Sequence, residues 1–117
     1  MIDAIFKASG LPYRQGRYIN PPPKTYGIYF DDQTLDGPDV YGTDLYGLGH
    51  TGRPCIVRHD VMVELYEPSP DPDAEAAFEA ELTARGILWT REDRYWLQNA
   101  QRYQVIYNFT YYEKRRT

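Results

Sequence analysis

The chain has 117 residues, 42% of them hydrophobic and 26% charged, with a single cysteine and a net charge of -4 from 13 Lys plus Arg against 17 Asp plus Glu. That length suits one compact domain spanning residues 1–117, large enough to bury a core without disulfides or a metal. Cys55 alone cannot form an internal bridge, which excludes the disulfide-scaffold class.

No apolar run is long enough to span a bilayer, so no membrane partner is expected, and MIDAIFKASG lacks the basic-then-apolar order of a signal peptide. Tyrosine is over-used, with twelve against four Phe and two Trp, and its flat ring with a polar tip suits half-buried positions and interfaces. Charge is unevenly spread. Residues 1–24 carry +3, residues 31–81 carry thirteen acids against Arg53 and Arg58 for -11, and residues 82–117 carry +4. Blocks of opposite sign suit contacts between copies of the chain, since complementary potentials fix register and partner choice.

Along the chain, Ile2, Ile5, Phe6 and Ser9 follow helical spacing with Gly10 just beyond, which predicts a short amphipathic helix over 2–9. Pro21, Pro22 and Pro23 hold an extended approach to a strand at 26–30, where Tyr26, Ile28 and Phe30 alternate with Gly27 and Tyr29. Periodicity then vanishes, and residues 31–55 read as a long flexible loop rich in Gly and Asp, the first place to look for function. Its candidate contact residues are Asp31, Asp32, Asp36, Asp39, Tyr41, Asp44 and Tyr46.

Residues 56–66 alternate strictly, which puts Val57, His59, Val61, Val63 and Leu65 on a core face and Arg58, Asp60, Met62, Glu64 and Tyr66 on a wetter one. Asp71 is placed to cap a helix, Pro72 sits in its first turn, Gly86 follows its end, and Ala74, Ala77, Phe78 and Leu82 form the apolar stripe. A strand at 87–90, a turn at 91–94 and a hairpin continuation at 95–97 lead to a last strand over 103–112. The expected fold is α+β, a mainly antiparallel four-stranded sheet with two helices on one face and a long Gly/Asp-rich loop.

Signals for chemistry are thin. His50, Cys55 and His59 are metal-ligating types without metal-site spacing, and Cys55 and His59 lie roughly 13 Å apart along a strand, too far for a nucleophile and its base. Gly47, Gly49 and Gly52 do not form a phosphate loop. No catalytic residue, metal or cofactor is expected. A small nucleic-acid-binding domain using the tyrosines and the bases Lys114, Arg115 and Arg116 is the alternative, opposed by the acidic mid-chain block.

GLPYRQGRY after the first helix, the YGIYF strand, VELYEPSP before the acidic helix Asp71 to Arg85, the step Gly86-Ile87 and the terminal YQVIYNFTY together resemble a family of small phage and prophage tail proteins. These are the tail terminators of long-tailed phages, also described as tail completion or tail-to-head joining proteins. The resemblance covers nearly the whole chain and departs from the family pattern at 31–55, where this loop is longer and richer in Gly and Asp.

It implies a structural, non-enzymatic virion protein at the head-proximal end of the tail, assembled in the bacterial host cytoplasm. Its partners would be other copies in a ring, typically hexameric, then the tail tube protein, the head-tail connector proteins, and DNA passing through the lumen without specific binding. Within such a ring the loop acids would meet Arg91, Arg94 and Arg102 of a neighbouring copy.

Overall fold

The computed structural model describes residues 1–36 and 54–116. Helix α1 covers Ile2–Ser9, with Ile2, Ile5 and Phe6 buried, and it stops at Gly10, whose left-handed φ of 76° turns the chain away. Strand β1, Tyr13–Gln15, lies beside β2, Tyr26–Asp36, and β3 follows at Pro54–Glu67. Helix α2 spans Pro72–Ala84, and β4, β5 and β6 cover Trp89–Arg91, Tyr95–Leu97 and Arg102–Arg116. Among the described residues no helix is long and apolar enough to cross a membrane.

The architecture is α+β with a mixed sheet of six strands in the order β1-β2-β3-β6-β4, and β5 also pairs with β6. Two features enlarge it beyond the four strands expected. β1 is a parallel addition to Gly27, Ile28 and Tyr29, three residues long and therefore without readable periodicity. In addition, β4 and β5 do not pair with each other. Both lie end to end on one side of β6, Trp89 opposite Phe109 and Tyr95 opposite Gln104, so one extra residue is accommodated between them.

The loop expected at 31–55 also gives up both its ends. Residues 31–36 continue β2, pairing Asp31 with Val61 through Asp36 with Ile56, and residues 54 and 55 open β3. Strand propensity argues against FDDQTLD, but the ladder to β3 satisfies the backbone whatever the side chains are. The rest of that loop, residues 37–53, lies outside the described residues.

Both helices cover one face of the sheet. Ile2, Ile5 and Phe6 of α1 and Phe78 and Leu82 of α2 pack with Val61, Val63 and Leu65 of β3 and Val105, Tyr107, Phe109 and Tyr111 of β6. This is the face expected for β3. Phe6 lies at its centre, stacked on Tyr13 at 4.7 Å between ring centroids and tilted against Phe78 at 5.3 Å. The close seat exists because residue 27 is glycine: a Cβ there would overlap the Phe6 ring.

On α2, Asp71 caps as expected, its Oδ1 accepting from the Ala74 N–H at 3.1 Å, while Thr25 Oγ1 donates to Oδ2 at 2.6 Å. The inward stripe is turned slightly from the expected one. Phe78 and Leu82 are fully buried, but the third inward position is Glu75, with Ala74 and Ala77 only half-buried beside it.

Gly27→Ala tests the seat of α1. It should destabilise the fold by about 1–3 kcal/mol through overpacking against Phe6, read as a lower urea midpoint at unchanged slope. A midpoint equal to wild type would show that Phe6 moves aside freely.

Candidate assembly interface

Two buried polar clusters and one exposed arm account for the functional groups of the described residues. The first cluster joins α2 to the segment between β4 and β5. Glu67, at the end of the inward face of β3, has no solvent exposure, and Glu75 reaches it from α2. Arg94 Nε donates to Glu67 Oε1 at 3.2 Å and to Glu75 Oε2 at 3.0 Å, while its Nη2 lies 2.7 Å from Glu75 Oε1. Arg91 spans Glu75 at 2.9 Å and Glu79 at 2.8 Å, and the Tyr107 hydroxyl donates to Glu79 at 2.6 Å.

Glu67 and Glu75 are also hydrogen-bonded to each other, and two carboxylates can be so only if one keeps a proton. Burial, then the bond to Glu75, pushes the Glu67 carboxyl up to about 8. Against the opposing effect of burial, the bond from Glu67 and the guanidiniums of Arg94 and Arg91 hold Glu75 below its ordinary range. Glu67 Oε1 already accepts from the Asp71 N–H and from Arg94, so the proton belongs on Oε2, which has no other partner among the described residues. Sealed from solvent and saturated with partners, the pair serves as a clamp.

Arg91 and Arg94 therefore find acidic partners in their own chain, where an acidic loop on a neighbouring copy had been expected. The reason is helical spacing: Glu75 and Glu79, four residues apart, present one carboxylate row to the 89–94 segment. Arg102, at the start of β6, donates from Nη1 to the Gln101 carbonyl at 3.1 Å.

The second cluster surrounds His59, which is 3% exposed. Its Nδ1 lies 2.9 Å from Asp31 Oδ2, its Nε2 lies 2.8 Å from Glu113 Oε1, and its ring stacks on Tyr111 at 4.3 Å. Burial pushes the Tyr111 hydroxyl up to about 12, with Asp31 and Glu113 adding to the shift. The two carboxylates sit on opposite sides of the imidazole, so the three groups do not converge. Among the described residues no cluster could hold a metal ion. Asp31, expected in a loop as a contact residue, is instead part of this buried bridge between β2 and β6.

The arm is formed by β2 from Asp31, β3 up to Asp60, and β6 from Thr110, paired in that order. Among the described residues no strand pairs with β2 beyond Tyr29 on its outer side, and none with β6 beyond Phe109. Rows of cross-strand neighbours run over its uncovered face, Asp32, Asp60 and Thr110, then Thr34, Arg58 and Tyr112, and they continue the row Phe30, Met62 and Asn108 at its base. Large apolar side chains are exposed on this face, with Tyr112 at 60%, Phe30 at 41% and Ile56 at 39%, while Leu35, opposite Val57, is exposed on the other face. Where β4 ends on β6, an open groove of about 950 Å³ follows the strand, lined by Leu88, Asn108, Thr110 and Tyr112 and reaching Phe30.

Of the predicted contact residues, Asp32 is exposed on this face and Asp36 ends β2. Asp39, Tyr41, Asp44 and Tyr46 lie outside the described residues, as does His50 of the weighed metal set. Sequence reasoning missed Glu67 and Glu75. The inward parity of Glu67 and the helical spacing of Glu75 with Phe78 and Leu82 are the signals that could have found them. Compared with models of known protein families the chain matches none, and none of the curated proteins matches it.

Glu67 gives a signed pH prediction. The folded chain keeps a proton that the unfolded chain releases above about pH 4.5, so this contribution is full below that pH, falls as pH rises, and is gone above about 8. The thermal midpoint should therefore decline from acidic to mildly alkaline pH, and Glu67→Gln should flatten the decline; an equal slope in the variant would sink the assignment. Glu75→Ala, which strips a buried counter-charge from two guanidiniums, should cost about 3 kcal/mol in a denaturant melt.

Proposed function

We propose that this protein is a tail terminator of a long-tailed phage: a structural virion component whose copies close into a ring on the finished tail tube, stop its polymerisation and join it to the head. It acts by assembly, without catalysis or cofactor. The observation that carries the reading is the arm. A three-stranded sheet whose outer edges pair with no strand among the described residues, with large apolar side chains exposed, is a surface that protein association covers. In a ring, each copy offers one edge to the preceding copy and the other to the next, which is the heterologous contact that cyclic closure requires.

The charge distribution supports the same role. Acidic residues dominate 31–81, and an acidic surface towards the lumen lets DNA pass without sticking. In this role the partners are further copies of the chain in a ring, hexameric in the family it resembles, with the tail tube protein below and the connector above. The ring sits at the head-proximal end of the tail and assembles in the cytoplasm of the bacterial host.

The test is to add the purified protein to polymerising tail tubes and measure tube length by electron microscopy. Tubes should stop short with a ring density at one end. Tube lengths unaltered across a wide range of protein concentration would refute the role, and salt-dependent retention on DNA without any effect on tubes would favour the nucleic-acid alternative.

A further inference from the structure

We infer that the arm's two open edges are each other's partners: the outer edge of β6 over residues 110–116 in one copy pairs with the outer edge of β2 over residues 31–36 in the next. This rests on the ring assembly proposed above and names the interface that builds it.

Charge selects the occupant. The β2 edge segment, Asp31 to Asp36, carries three acids and no base, and the β6 segment, Thr110 to Arg116, carries Lys114, Arg115 and Arg116 against Glu113. A two-fold axis makes paired edges antiparallel, so two β2 edges would set Asp31 against Asp36, and two β6 edges would bring together two segments of net positive charge. Like charges directly opposite one another destabilise a strand pair. Only the unlike pairing brings opposite charges together, so the contact is head-to-tail, which closes as a ring. Charged edges that would otherwise block aggregation thus admit one partner and reject the alternatives.

Geometry agrees. β2 and β6 both run antiparallel to β3 and are therefore parallel to each other. A second copy related by rotation about an axis along the strands sets its β2 parallel to β6, continuing the sheet. An added strand lies about 4.8 Å from its neighbour. The open groove beside Thr110 and Tyr112 supplies lateral room where β4 ends. The registers set Asp36 and Lys114 level with each other, both opposite Ile56 of β3, so the same rotation brings position 36 of one copy beside Lys114 of the next. The pairing would also cover Tyr112.

The experiment is a charge swap on the full chain, with mass measured by sedimentation and native mass spectrometry. Wild type should assemble in a concentration-dependent way. Asp36→Lys and Lys114→Glu should each weaken self-association roughly tenfold, and the double variant, whose edges are again unlike, should recover it. Amide exchange should slow at 31–36 and 110–116 on assembly. Because Lys114 is exposed and Asp36 is the last residue of β2, near-ultraviolet circular dichroism should show each monomer folded.

Assembly that is unchanged in the single variants, or not recovered in the double, would overturn this pairing. A chain that shortens tail tubes while its single variants do so equally well would overturn the pairing and leave the proposed function standing. A chain that assembles through these edges yet leaves tube length unaltered would do the reverse.

Discussion

The structure depends on a mismatch of lengths. β3 and β6 pair along their whole course from Pro54 to Glu67, fourteen residues of β3, which makes a ladder of about 46 Å. α2 has 13 residues and α1 has 8, so they reach only about 20 Å and 12 Å. Two such helices cannot cover that ladder. They settle where the inward side chains are most apolar, over Val61, Val63, Leu65, Val105, Tyr107 and Phe109, and the remaining length of the same strands becomes the arm. Core and arm are two ends of one sheet, separated by how far the helices extend. The stiffness of the ladder transmits position from one to the other, so whatever fixes α1 and α2 also aims the arm.

At the covered end, Phe6 seated on Gly27 anchors α1, and the carboxylate and guanidinium cluster anchors α2. Burying Glu67 and Glu75 is unfavourable unless every charge finds a partner, and that requirement is directional in a way that Phe78 and Leu82 alone are not. Keeping one proton on the pair reduces the buried negative charge, and Arg94 and Arg91 answer the rest. The cost of desolvation is thereby offset, and α2 is held in one register against the 89–94 segment. His59 does comparable work at the junction of body and arm, where it ties Asp31 of β2 to Glu113 of β6 across the strand between them.

Much of this was legible in the sequence because periodicity reports burial directly. The helix over Ile2 to Ser9 with its Gly10 stop, the inward parity of Val57 to Leu65, and the Asp71 cap followed by Pro72 each depend on neighbours within a few residues, and each is where the pattern puts it. β1 and the far half of β2 were illegible for the opposite reason. Three residues carry no period, and Asp31, Asp32 and Asp36 look like loop because what holds them is a backbone ladder to residues more than twenty positions away. β4 and β5 read as a hairpin because the chain between them turns, although both belong to β6.

The sequence by itself therefore determined what lies within one helical turn or one strand period: which segments are amphipathic, which faces turn inward, where the helices start and stop, and that charge comes in blocks of opposite sign. Only the tertiary structure decided how those blocks are used. Part of the acidic block meets Arg91 and Arg94 inside the chain, because α2 lies against the 89–94 segment, while Asp32 and Lys114 stand near opposite edges of one arm. Pairing between distant charges depends on which strands become neighbours, and chain closure over tens of residues sets that, beyond the reach of any local pattern.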